Sequence, residues 1–208
     1  MLKDVPLLYE GLDHRSANEI QMLDDEIQLI KKAIVKRYPN VNLDQVMPLK
    51  ERVLTMYSGQ IADPSTLKSI FNTNLGYSRV PFPMIPVEGQ DLKNTPPGDV
   101  LVKLNLNARF FWEDLPYGLA VLKDIGNIVG VNTPNITRNM IFHQRHMPVK
   151  YVNEQTGEFN REVLVSKTGA PSAYGIKTID QLVESSIPAN SGAIFEDNIY
   201  FKRMRAKL

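Results

Sequence analysis

The residues whose types and spacing could do chemistry are gathered in one stretch, Arg109-Phe-Phe-Trp-Glu-Asp-Leu-Pro-Tyr-Gly-Leu119. It holds the only Trp, two of the eight Phe, a Tyr, an Arg and two adjacent acids. A charged cluster set among aromatic rings, at the mouth of a buried helix, can shift a pKa and hold a small anion. On composition alone, base rates favour a plainer reading: a helix start with a solvated Glu113-Asp114 pair and a surface Arg109. Other chemical candidates are few. The histidines are His14, His143 and His146. The last two are spaced i, i+3, as a metal pair on one helix face would be. No carboxylate neighbours them in sequence, and Arg145 and Lys150 crowd them with positive charge, so no metal is assigned. Cysteine is absent, which removes disulfides, thiolate nucleophiles and Cys-based zinc sites and leaves the redox compartment open.

The frame that positions this stretch is a 208-residue chain, 43% hydrophobic and 23% charged, enough for one domain with a proper core. A net charge of +1 directs it to neither nucleic acid nor a membrane surface. No apolar run approaches the roughly 18 residues of a spanning helix, and Met1-Leu-Lys-Asp-Val-Pro6 does not read as a signal peptide.

Ser16 and Glu19 form a capping-box pattern, and Ile20, Leu23, Ile27, Ile30 and Ile34 follow at helical spacing until Tyr38-Pro39. Asp24, Asp25, Glu26, Lys31 and Lys32 suit the solvated face of that helix. A second helix is expected over about 44–58, and a third opens at Asp63-Pro64, with Asp63 as cap and Leu67, Ile70 and Phe71 buried. Prolines 81, 83, 86, 96 and 97 make 72–99 mostly loop. There Asn72, Thr73 and Asn74 can cap backbone groups or touch a ligand. Alternation from Val100 to Asn107 predicts a short strand. Leu115-Pro116 starts a helix that Gly130 closes, and Thr133-Pro134 opens another with Ile136, Met140 and Ile141 inward. A turn at Asn153–Gly157 predicts a small hairpin of Val149–Val152 with Val163–Val165, and Thr178 with Gln181 caps a last helix. The fold class is mainly α: a helical bundle-like domain over 1–188 with a small hairpin and long loops, then a tail over 189–208.

Six segments appear in order: Leu8-Tyr-Glu-Gly-Leu-Asp13, Ser58-Gly-Gln-Ile-Ala-Asp63, Thr73-Asn-Leu-Gly-Tyr77, the Arg109–Leu119 stretch, Gly130-Val-Asn-Thr-Pro134 and Ala170-Pro-Ser-Ala-Tyr-Gly175. Together they resemble the C-terminal helical domain of the octopine/nopaline (opine) dehydrogenases. In that family a Rossmann domain binds NAD or NADP. The helical domain closes over an α-keto acid and an amino acid, which are joined as an imine and reduced. The resemblance implies that Asp114 orients a catalytic histidine and that Arg109 senses the keto-acid carboxylate. Tyr9, Asn74, Tyr77, Trp112 and Tyr117 are candidate pocket residues by neighbourhood alone.

The departures are as informative. The histidine segment that precedes Tyr-Glu-Gly in the family has no counterpart here, and His14 lies on the wrong side of that segment. No Gly-x-Gly-x-x-Gly follows a strand, so the phosphate-binding turn is missing. The expectation is a substrate domain that needs a separate Rossmann partner, inactive alone, with no nucleic-acid or membrane partner. The alternative is a non-enzymatic interaction or dimerisation module, with Val80–Pro86 as a contact surface. A cytoplasmic location is expected, or a peroxisomal one in a eukaryote, from Ala206-Lys207-Leu208.

Overall fold

The computed structural model describes residues 1–186. The predicted tail and its terminal Ala-Lys-Leu lie outside them. Chain contacts divide the protein into two units: Met1–Asp25 with Met47–Ala108, and Glu26–Val46 with the chain from Arg109 onward. The fold is mainly helical, as expected, with one two-stranded antiparallel sheet among the described residues.

The first unit contains the start of α1 (His14–Arg37), then α2 (Leu49–Met56), α3 (Leu67–Thr73) and the hairpin of β1 (Met84–Pro86) with β2 (Val102–Leu104). Ala17, Val53, Leu67, Ile70, Phe71 and Val100 form its core. The cap of α1 is Asp13, whose Oδ1 accepts the Ser16 amide at 2.7 Å, so the capping pattern starts three residues earlier than expected. The backbone and side-chain bonds from Ser16 hold the Asp13 carboxyl below its usual pKa.

Helix α2 starts at Leu49 instead of about 44, because Pro48 holds an extended conformation at the helix boundary. Pro48 offers no side-chain cap. Asp24 supplies the acceptor, its Oδ2 taking the Leu49 amide at 2.9 Å. The cap of α3 is Thr66, in a reciprocal box with Ser69, whereas Asp63 instead holds a turn through the Ser65 amide. Within the expected loop, β1 pairs with β2 in the register Met84↔Leu104, Ile85↔Lys103, Pro86↔Val102.

The second unit holds the rest of α1, then α4 (Arg109–Trp112), α5 (Ala120–Val129), α6 (Pro134–Gln144), α7 (Arg161–Lys167) and α8 (Ile179–Ser186). Its core includes Ile30, Phe111, Leu115, Ala120, Ile136, Met140, Tyr151, Val152 and Ala170. Glu26 is buried here, not solvated: its carboxylate accepts the Asn135 and Ile136 amides at 2.6 and 2.9 Å. It thereby caps α6, where Thr133 forms no side-chain cap. A carboxylate at a helix N-terminus gains from both the free amides and the macrodipole.

Gly126 carries no Cβ for a steric reason, since one would stand 2.8 Å from Thr133 Cγ2 and 3.1 Å from the Val131 carbonyl. The predicted hairpin is reduced to a single bridge, Val152↔Phe159. Val163–Val165 lies in α7 instead, whose apolar positions include the buried Leu164. Both ends of the buried Gln144 amide bond Val152, from Nε2 to its carbonyl at 2.8 Å and to Oε1 from its amide at 3.0 Å. Thr178 caps α8 through the Gln181 amide, as expected.

Candidate active site

Helix α4 is a single turn followed almost at once by a π-helical turn, Leu115–Leu119, which runs straight into α5. Pro116 explains the slip. It has no amide hydrogen to give to the preceding turn, and its ring crowds the carbonyl there. The ladder therefore widens by one residue, and the Ala120 amide bonds the Leu115 carbonyl, an i→i−5 bond. The Pro116 carbonyl accepts the Gly169 amide at 3.0 Å. A Cβ on Gly169 would stand 2.8 Å from the Tyr117 ring, so the glycine lets the chain close on this turn.

Residues of the neighbouring segment are fixed by a carboxylate that sequence reading did not select. Asp124 is buried on α5, and its two oxygens accept the Ser172 amide at 2.7 Å and the Ser172 hydroxyl at 2.9 Å. Burial raises its pKa against the opposing effect of those bonds. Beside it on α5, Lys123 is also buried. Its Nζ donates to Thr137 Oγ1 at 2.9 Å and stands 5.4 Å from the centre of the Phe159 ring. Burial lowers the Lys123 pKa, opposed by Glu158, Glu26 and Asp124.

On this frame Phe111, Leu115 and Pro116 point inward, while Arg109, Trp112, Asp114 and Tyr117 are exposed. The Arg109 side chain, 74% exposed, pairs with Glu113 through Nε and Nη2, both at 3.0 Å from Oε2. The i, i+4 spacing of Arg109 and Glu113 was the available signal for that pair. Asp114 makes no side-chain hydrogen bond among the described residues. Phe111, between Arg109 and Asp114, meets the His143 ring edge-on at 6.0 Å, and Phe142 flanks the same imidazole at 5.2 Å. Burial, then the neighbouring His146, lowers the His143 pKa. Among the described residues no group of three or more His, Asp or Glu is arranged to hold a metal ion.

Tyr9, Asn74 and Tyr77 belong to the first unit. Tyr9 and Tyr77 stack at 4.5 Å, with Tyr57 at 4.7 Å and Phe71 at 5.5 Å from the Tyr77 ring. Burial, then hydrogen bonding to Tyr57, pushes the Tyr77 phenol up to about 12. Asn74, 1% exposed, accepts the Gly76 amide on Oδ1 at 3.0 Å, while its buried Nδ2 has no partner. Asn72 and Thr73 serve the backbone: Asn72 Nδ2 donates to the Tyr9 carbonyl at 2.8 Å, and Thr73 Oγ1 to that of Ser69 at 2.7 Å.

These features define an α-helical module that displays an arginine and an aspartate on either side of a proline-driven π junction. The chain matches the NAD/NADP octopine/nopaline dehydrogenase alpha-helical domain over residues 1–147 and belongs to that family. It is 30% identical to tauropine dehydrogenase of Arabella iricolor over 86% of its own length. It is 29% identical to opine dehydrogenase of Haliotis discus hannai over 88%. In both cases it spans 42% of the relative. Structures of octopine dehydrogenase with NADH and L-arginine, and with NADH and agmatine, share its fold. Each has a TM-score of 0.75, at 24% and 22% identity, covering 89% of this chain and 42% of theirs.

Proposed function

We propose that this chain is the substrate-recognising helical part of an opine-type dehydrogenase, which condenses an α-keto acid with an amino acid and reduces the product with NADH or NADPH. The observation that carries the reading is the π junction. In a chain of this family, it leaves Arg109 and Asp114 open while Phe111 and Leu115 between them are buried.

Arg109 holds the keto-acid carboxylate by a bidentate pair. To do so it exchanges Glu113 for substrate, at a cost of at most about 1 kcal/mol for an exposed ion pair. Asp114 accepts the N–H of a histidine supplied by the partner domain, fixing its tautomer and stabilising its charged form. That imidazole then gives a proton to the reduced centre. Trp112 and Tyr117 flank these groups. In the first unit Tyr9, Asn74 and Tyr77 are proposed to contact substrate, and the unpaired Asn74 Nδ2 supports this because a buried donor without an acceptor is costly.

The described residues do not fit a dinucleotide. Their sheet is one antiparallel pair, with no glycine-rich strand-to-helix turn. No hydride step is therefore routed through them, and a Rossmann partner is part of the proposal. No described helix is long and apolar enough to cross a membrane. A cytoplasmic or peroxisomal setting remains part of the same reading.

The test mixes this chain with a separately expressed nicotinamide-binding domain of the family and follows NADH loss with pyruvate and an amino acid. Turnover is expected only from the mixture. Asp114→Asn should cut it by roughly 10²–10⁴, the scale of an orienting carboxylate. Arg109→Ala should act mainly on pyruvate KM. Turnover indifferent to both substitutions would sink the assignment. A second reading, a non-enzymatic pairing or dimerisation module, draws on the exposed Phe110, Tyr117 and Phe142 side chains. Sedimentation would favour it if the chain self-associates and no mixture turns over.

A further inference from the structure

A cavity of about 500 Å³ lies in the second unit, away in sequence from the Arg109–Leu119 stretch, and Lys150, Asn153, Thr156, Glu158, Phe159 and Asn160 are among its walls. The turn that forms it is well braced. The Asn153 amide bonds the Glu158 carbonyl at 2.8 Å, and Asn153 Oδ1 takes the amides of Gln155 and Thr156 at 2.8 and 2.9 Å. Gly157, at φ 72°, closes the turn. A Cβ there would stand 2.8 Å from Thr137 Cγ2, so the turn is pressed against α6.

The charges of the walls are unevenly matched. Glu154 is paired with Arg145 at 3.3 Å, whereas the Glu158 carboxylate has no hydrogen bond or ion pair among the described residues. Lys150 Nζ is fixed by donating to the Gln144 carbonyl at 2.7 Å, which leaves two of its three N–H donors uncommitted. One open carboxylate, one anchored ammonium with spare donors, side-chain amides and a phenyl ring make up the lining. The volume lies within the range of small-molecule sites, and such sites pair a few convergent polar groups with apolar walls.

We propose that this cavity binds a free α-amino acid as its zwitterion, the α-ammonium on Glu158 and the α-carboxylate on Lys150. A single-charge ligand would leave one of the two groups facing its own unmatched desolvation. The site uses none of the residues proposed above for the dehydrogenase reaction, so it stands or falls independently of that reading.

Calorimetric titration of the chain with L-alanine and L-arginine tests it, with N-acetyl-L-alanine and L-alaninamide as probes lacking one charge each. The two amino acids are expected to bind, and each single-charge analogue to bind about tenfold or more weakly, the scale of one lost charged hydrogen bond. Glu158→Gln, on an exposed side chain, and Lys150→Met should each weaken L-alanine to a similar degree with unchanged circular dichroism. Asp114→Asn should leave it unchanged. The proposal is overturned if the amino acids fail to bind at tens of millimolar, if Glu158→Gln leaves affinity intact, or if Asp114→Asn abolishes it.

Discussion

Glu26 shows how a single residue's role depends on what is packed against it. In sequence it sits in an Asp-Asp-Glu run that suits a helix's wet face. In the fold it is buried and caps α6 with two short bonds. Glu26→Ala would leave both amides unpaired and should lower the unfolding free energy by about 2–4 kcal/mol in urea titration. Glu26→Gln, which keeps an acceptor, should cost less. His143 offers a pH signature at the same scale. Its pKa lies below the ordinary 6.5 because burial between aromatic rings opposes its charged form. Between the lowered value and 6.5 the unfolded chain binds more protons than the folded one, so stability rises with pH through that window. Melting temperatures measured across it should climb in the parent chain, and His143→Leu should flatten the slope.

At the scale of elements, the junction from α4 to α5 is built by Pro116 and by a distant glycine. Proline was legible as a helix start. That the helix begins a turn earlier, at Arg109, and passes through a π turn was not, because the slip is completed by the Gly169 amide on the Pro116 carbonyl, some fifty residues on in sequence. Close packing sets another element-scale constraint at Gly126. Gly126→Ala places a methyl against Thr133 Cγ2 and the Val131 carbonyl. It should destabilise by about 1–3 kcal/mol despite alanine's better helix propensity, a sign that thermal unfolding would show directly.

At the scale of the whole chain, the family and the mainly helical architecture were readable from six short motifs in order, and the match over residues 1–147 bears this out. The chain spans 42% of its curated relatives, so activity belongs to the reconstitution proposed above, not to this chain's residues taken alone. Arg109, Trp112, Asp114 and Tyr117 fall in one unit and Tyr9, Asn74 and Tyr77 in the other. No spacing in the sequence announces that division, because each unit is assembled from two separate stretches of chain.

The sequence by itself determined the long α1 periodicity, the Gly130 stop, the Thr178 cap and the clustering of Arg109 with Asp114. These depend on neighbours within a turn or two, where backbone geometry and side-chain spacing decide the outcome. Only the tertiary structure decided that Asp24 and Glu26 are buried caps, that Val163–Val165 is helical, and that Asp124 holds Ser172. A carboxylate is solvated or buried according to whether unpaired amides of another element reach it, and those amides lie tens of residues or more away along the chain.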